Sequence, residues 1–330
     1  MNITILVCYH KVAPLIASSI LQPIFVGAKI AKPQVLNDFK QSCEKQNVKF
    51  LRDDDILDSH GGGGLHSKEQ ELSDLKNFPQ EISSFNPNFC ELTAIYWAYK
   101  NLEADYYGLF HYRRFFCFSA FEAFKYRLLQ CFSSGSIFYP HNLNSKILKK
   151  FKLDDENLYK IIPQYDIIKL NPWWKDNYDY KHLNLMNELD LCIQIIQEKY
   201  PQMQKALDKV VFSGKYPTSM ANMMIMKKTL YFEYCEWLFD VLFTLAPKVP
   251  IQSYDTYTAR IFGFFSEWMF SVWLEYKQEN TKLKIKDCPL IFLQAPRKKP
   301  YFGWQIENDI KRFYFLKIRI IKRKIKSKSL

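Results

Sequence analysis

The chain has 330 residues, 48% of them hydrophobic and 17% aromatic, which is enough apolar surface for one large core and excludes intrinsic disorder. No run reaches the roughly 18 uninterrupted apolar residues of a membrane-crossing helix, and the richest stretch, Tyr231 to Leu245, is broken by Glu233, Glu236 and Asp240. The net charge of +12 is concentrated at one end: residues 311–328 hold nine Lys or Arg and no acid, and removing those nine leaves +3 for everything before them.

The N-terminus reads Met-Asn-Ile-Thr-Ile-Leu-Val, without a basic segment or a small-residue cleavage site, so no secretory signal and a cytoplasmic location are expected. Ile3 to Tyr9 is a β-branched apolar run of the kind found in a buried parallel strand. A helical stretch near Pro33 to Gln46 and a short run at Val48 to Leu51 complete a βαβ opening. From Asp58 to Phe85 the chain lacks periodicity and contains Gly61 to Gly64, which reads as a mobile surface loop. The glycines lack the Gly-Lys-Ser or Gly-Lys-Thr ending of a phosphate loop. Asn86-Pro87 then supplies an N-cap and a first-turn proline for a helix over about 87–101. A strand, Tyr106 to His111, ends abruptly in Tyr112-Arg113-Arg114. Further strands are predicted at Tyr165 to Leu170, Ala221 to Lys227 and Leu283 to Leu293, with helices near 180–199, 228–246 and 254–277. The alternation indicates an α/β protein. Eight cysteines, none in a Cys-x-x-Cys pair, read as buried free thiols.

Ligands of open parallel sheets sit at the carboxyl ends of strands. That rule selects His10 and Lys11 after the first strand, Asp53-Asp54-Asp55 after the second run, His111 to Arg114, and Ser213-Gly214 with Asn222 near a later strand. Two guanidinium groups at the end of a central strand need an anionic partner. A diphosphate fits an arginine fork, and an ion pair with Glu91, Asp105 or another internal acid is the alternative. The triple aspartate offers oxygen ligands for Mg²⁺ or Mn²⁺ or hydrogen bonds for a nucleoside, unless it is a solvated run. Asp255 lies near a helix start, where a carboxylate is favoured by the dipole and a general base can face a cleft; an ordinary first-turn acid is the other reading.

Several segments carry a family resemblance: Ile3 to Lys11, Leu21 to Ala28, Asn86 to Trp97, Gly108 to Phe115, Met220 to Met226 and Arg260 to Glu267. Together they resemble the bacterial family named domain of unknown function 4422, found in capsular and exopolysaccharide clusters. The resemblance implies a GT-A-like (Rossmann-like) fold, a mixed, mostly parallel sheet flanked by helices, over residues 1–295, with 59–85 as a loop insertion. It further implies a nucleotide-sugar donor, UDP-linked, and transfer of a sugar to a lipid-linked glycan acceptor. Some members resemble galactofuranosyltransferases, which implies an inverting hexosyltransferase with an Asp or Glu base. The Asp-x-Asp metal motif of GT-A enzymes is replaced by His111-Tyr112-Arg113-Arg114, so arginine can take over the diphosphate neutralisation of Mn²⁺ or Mg²⁺.

These readings place His10, Lys11, Asp53, Asp54, Asn88, His111, Arg113, Arg114, Asn222 and Arg260 at the donor. Asp255 is the first choice of base, followed by Glu267 and Glu91, and Asn88 and Glu91 are expected on one helix face. Residues 296–330 interleave bases with apolar residues, the pattern of a basic amphipathic helix against anionic lipid at the inner face of the cytoplasmic membrane rather than against nucleic acid. A noncatalytic nucleotide- or glycan-binding assembly factor is the rival class, and a sugar phosphotransferase a third.

Overall fold

The computed structural model describes residues 1–56, 71–129, 136–140, 144–175, 185–213, 216–218, 221–294, 302–307, 310–315 and 318–324. Gly61 to Gly64, Gly214 and Cys131 lie outside them. The first half contains β1 (Ile3–Tyr9), β2 (Leu21–Phe25), α1 (Pro33–Lys45), β3 (Leu51–Arg52), α2 (Asn86–Phe89), α3 (Leu92–Asn101), β4 (Tyr106–His111), β5 (Arg114–Phe116) and α4 (Ala120–Leu129). After these come β6 (Ser136–Phe138), α5 (Ser145–Phe151), α6 (Asp155–Ile161), β7 (Ile167–Leu170), β8 (Trp173–Lys175), α7 (Met186–Lys199), α8 (Gln204–Leu207) and β9 (Tyr216–Thr218). The chain continues through β10 (Met224–Lys227), α9 (Lys228–Leu245), α10 (Ile261–Asn280), β11 (Ile285–Cys288), β12 (Leu290–Phe292), β13 (Phe302–Glu307), β14 (Ile310–Phe315) and β15 (Ile318–Lys324).

The main sheet runs in the order β11-β7-β10-β4-β1-β2-β3. Pairing is parallel between β1 and β2, β1 and β4, β2 and β3, and β7 and β11. Only β10 on this path is reversed, antiparallel to both β4 and β7. The α/β class expected from the sequence is therefore present, as a mixed, mostly parallel sheet with helices on both faces. Side-chain alternation along β1 divides the core: Leu6 and Cys8 join α3, α7, α9 and α10, whereas Ile3, Ile5, Val7 and Tyr9 join α1, β5, α5 and α6. The strand β2 carries Pro23 inside it, which hides it from a propensity reading, so the βαβ unit is β2-α1-β3.

Three other expectations are corrected. Residues 71–85 are packed: Leu75 and Ile82 are fully buried, Glu81 pairs with Lys29 at 2.7 Å, and the Tyr96 hydroxyl donates to Pro79 O at 2.6 Å. The helix expected from residue 254 begins at Ile261, after a 3₁₀ turn over Thr258–Arg260 whose Thr258 N donates to the Asp255 carboxylate. The C-terminal segment forms an antiparallel meander, β13-β14-β15, in place of an amphipathic helix. Its isoleucines and aromatics favour extended backbone. In its register Lys311 stands opposite Arg323 and Arg312 opposite Lys322. The cysteines behave as expected where described: Cys8, Cys43, Cys117, Cys192, Cys235 and Cys288 are buried free thiols, and Cys90 is half-buried.

Gly108 lets β4 sit between β1 and β10. A Cβ there would lie 2.9 Å from Ile225 Cγ1 and 3.0 Å from Ile5 Cγ1. Gly108→Ala is expected to destabilise the protein by about 1–3 kcal/mol through overpacking, read as a lowered midpoint in urea unfolding.

Candidate active site

Cys8 is the register partner of His111, so the carboxyl ends of β1 and β4 lie side by side. His10 and Lys11 thereby meet the hairpin that joins β4 to β5, in which His111 pairs with Arg114 and Tyr112 and Arg113 form the tip. The Tyr112 ring gathers this group. The Arg113 guanidinium lies 4.9 Å from its centroid, Lys11 Nζ lies 5.8 Å away, and the His10 ring meets it edge-on at 5.4 Å. Arg114 lies 5.5 Å over Phe292. Arg260 sits against Phe264 at 5.5 Å and Tyr257 at 5.9 Å, and its Nε donates to Cys90 Sγ at 3.2 Å.

Lys11, Arg113, Arg114 and Arg260 make no ion pair with a carboxylate among the described residues. Lys11, Arg113 and Arg260 act together on His10, whose pKa is lowered by partial desolvation and then by Lys11, Arg113, His111 and Arg260, while Arg114 acts on His111. The edge therefore gathers cations that have no carboxylate in ion-pair contact among the described residues, an arrangement that favours an anion. Neither Glu91 nor Asp105 is in ion-pair contact with Arg113 or Arg114; Asp105 pairs with the N-terminal amine at 3.9 Å.

Carboxylates enter from the other side. Because β10 is reversed, its amino end reaches the same edge, and Ala221 and Asn222 there adopt positive φ of 72° and 48°. Asn222 is 3% exposed. Its Nδ2 donates to Glu91 Oε1 at 2.8 Å and to Gly263 O at 3.2 Å, and its Oδ1 accepts from Ser266 Oγ at 2.9 Å. Ala221 N donates to Glu267 Oε1 at 2.8 Å. His111 Nε2 meets Ala221 O at 3.1 Å, which requires the proton on Nε2. Burial lowers the His111 pKa against the opposing pull of Glu91, and Cys8 is raised by burial and then by Glu91. Glu91, Cys8, His111 and Arg260 thus share one electrostatic neighbourhood.

The expected helix over 87–101 is broken at Cys90, where φ is 53°. Asn86 spans the break, its Nδ2 donating to Cys90 O at 2.8 Å and Thr93 Oγ1 at 3.2 Å. Helix α10 fits against the break through Gly263, whose Cβ, if present, would lie 3.1 Å from Cys90 Sγ. Asn88 and Glu91 consequently do not share a helix face. Asn88 Nδ2 donates to Ala259 O at 3.0 Å, tying down the chain beside Arg260, while Glu91 turns to Asn222.

The aspartates are corrected as well. Asp53 is fully buried and accepts bonds from Gly27 N at 2.7 Å, Ala28 N at 3.0 Å and the Ser83 hydroxyl. Gly27 has φ 68°, and the Asp53 carboxylate fixes this left-handed turn. Burial raises the Asp53 pKa despite those bonds. Asp54 is held by Arg52 in a forked pair at 2.8 and 2.5 Å, and Asp55 accepts from Arg52 N at 3.2 Å. The carboxylates diverge, and among the described residues no group of three or more His, Cys, Asp or Glu is placed to hold a metal ion. Asp255 accepts from Thr258 N at 3.0 Å, Thr258 Oγ1 at 2.7 Å and Tyr257 N at 2.7 Å. The Thr258 bonds and then Tyr257 N lower its pKa, and all three bonds hold Asp255 to the turn that follows it. Ser213 bonds Lys209 O of its own turn.

A family model for a domain of unknown function, DUF4422, matches residues 42–279. The chain belongs to the DUF4422 family. The matched span contains Glu91, His111 to Arg114, Asn222, Arg260 and Glu267; His10 and Lys11 precede it. The apo structure of WbbM, a bifunctional glycosyltransferase, is similar at a TM-score of 0.67 and 24% identity, over 93% of this chain and 48% of that one. The likeness is one of fold, consistent with the GT-A-like architecture expected, and the chain spans about half the length of that structure. No curated protein matches this DUF4422 chain. No helix among the described residues is long and apolar enough to cross a membrane.

Reading the sequence missed Tyr112 as a platform, Ala221, Cys90, Gly263 and Ser266. Tyr112 lies inside the Gly108 to Phe115 segment, but a ring that meets two cations has no one-dimensional signature, and the positive φ of Ala221 and Cys90 has none either.

The low His111 pKa sets a pH dependence. The unfolded chain binds protons at this ring before the folded one does, so the stabilisation is complete above the unfolded value of about 6.5 and is lost as the pH falls below it. Urea midpoints are expected to drop between about pH 7.5 and 5.5, and His111→Gln to reduce that drop; an unchanged pH dependence in the variant contradicts the assignment.

Proposed function

We propose that this chain is an inverting glycosyltransferase that moves a hexosyl group from a UDP-linked sugar to a lipid-linked glycan acceptor in surface-polysaccharide synthesis. The single observation that carries the reading is the group of cations, Lys11, Arg113, Arg114 and Arg260, gathered near the carboxyl edge of β1 and β4 with no carboxylate in ion-pair contact among the described residues. The fold shared with a glycosyltransferase structure and membership of DUF4422 support it. Galactofuranose is the donor sugar to test first, on the family resemblance.

In this reading the cations hold the diphosphate and stabilise the charge that develops as the nucleoside diphosphate leaves, in a site where such stabilisation is strong. His10 contributes to the same wall, and the neutral His111 orients the Ala221 turn. Glu91 is the base. Asn222 fixes its Oε1, and Oε2 accepts no hydrogen bond among the described residues, leaving an oxygen for the acceptor hydroxyl. Glu267 holds Ala221 N and so positions the turn that carries Asn222. Asp53 and Asp54 support the site from behind.

The test is donor turnover and transfer with purified protein and a panel of nucleotide sugars. Arg113→Ala is expected to abolish transfer while the melting temperature stays near wild type and stabilisation by UDP is lost. Glu91→Gln is expected to lower kcat by about 10²–10⁴-fold, whereas Asp255→Ala leaves kcat largely intact. Binding of UDP without turnover of any donor would favour the noncatalytic assembly factor instead.

A further inference from the structure

The helix α4 turns its acid inward and its apolar side chains outward. Glu122, the only acid of its ten residues, is 8% exposed and lies 3.6 Å from Lys150 of α5. The Tyr126 hydroxyl accepts from Lys150 Nζ at 3.0 Å, and the Tyr126 ring meets Phe151 at 6.1 Å. These contacts fix one face of α4 to the body. On the opposite face Phe121 is 71% exposed, Phe124 63%, Leu128 51% and Leu129 65%. Four of the eleven large hydrophobic side chains exposed among the described residues thus belong to one short helix. At the helical period they fall in a single arc, with Lys125 inside it and Arg127 beside it. The neighbouring α5 adds the exposed Lys146 and Lys149.

We infer that α4 is an interfacial helix that docks the protein onto an anionic lipid surface. Contiguous exposed aromatics mark an interaction site. The chemistry around them selects the partner: protein interfaces are depleted of lysine at their centre, whereas a lipid boundary takes the apolar arc into the acyl region and meets the lysines at headgroup level. Each cation near such a surface adds to the attraction, and here all the exposed charge on α4 is positive. This contact is separate from the one expected of the C-terminal segment, which is not a helix. It is also independent of the proposed transfer reaction, although α4 follows Arg114 through β5 with only residues 115–119 between.

The test is flotation of the full chain with vesicles of equal parts phosphatidylglycerol and phosphatidylcholine, and with phosphatidylcholine alone. The wild-type chain is expected to float with the anionic vesicles. The variant Phe121→Ser/Phe124→Ser/Leu128→Ser is expected to reduce the bound fraction about tenfold or more, and Lys125→Glu/Lys146→Glu to weaken binding most at low salt. Removal of residues 311–330 is expected to leave most of the binding in place. All three apolar side chains are solvent-exposed, so circular dichroism and melting temperature should match wild type, and donor turnover on a soluble acceptor should be unchanged. Equal flotation of the apolar variant and wild type overturns the inference. So does loss of flotation only on removing residues 311–330, or a wild-type dimer that the apolar variant dissolves without any vesicle binding. Flotation needs no donor, so failure of the transfer reading leaves this result interpretable.

Discussion

The bonds of the Asn222 carboxamide are the constraint on which the candidate site depends. One buried side chain ties Glu91 at the start of α3, Gly263 and Ser266 on α10, and its own strained turn ahead of β10. These groups are distant in sequence, and each has a reason to be elsewhere. The helix containing Glu91 would run on through Cys90, the backbone at Ala221 and Asn222 prefers negative φ, and a carboxylate prefers water. A satisfied buried network outweighs these preferences, and removing one member would leave the others unpaired at a cost well above that of a surface bond.

Around that network the cations and the carboxylates arrive on different elements. Cations arrive on the ends of β1 and β4 and on the turn before α10, while Glu91 and Glu267 are held by Asn222 and by the Ala221 amide. The guanidinium groups rest on rings, Arg113 on Tyr112, Arg114 on Phe292 and Arg260 on Phe264. Ring faces position a cation without neutralising it, so the charge stays available to a ligand. Asp53 does the reverse: it is spent on two backbone amides and a hydroxyl, and in return fixes the Gly27 turn at the end of β2.

What was legible in the sequence follows from which rule each element obeys. β1, β4, β7, β10, α9 and α10 are apolar runs with clear periods, and they appear near their expected places. His10, Lys11, His111, Arg113 and Arg114 lie together because parallel strands end side by side, a placement that local sequence does reveal. Asn222 lies before its strand, and its proximity to those residues depends on the reversal of β10, which local sequence does not encode. Asp53, Asp54 and Asp255 share one ambiguity: a carboxylate bonded to backbone or to a neighbouring arginine looks the same in sequence as one offered to a ligand. The C-terminal segment misled differently, because alternating bases and isoleucines satisfy both a helical stripe and a strand.

The reversal of β10 bears on when this part of the molecule takes shape. Asn222 meets Glu91 across 131 residues of chain and Gly263 across 41, so these bonds close only after the long-range pairing of β10 with β4 and β7. Contacts of such sequence separation are slow to form, which makes this polar junction a late event of folding.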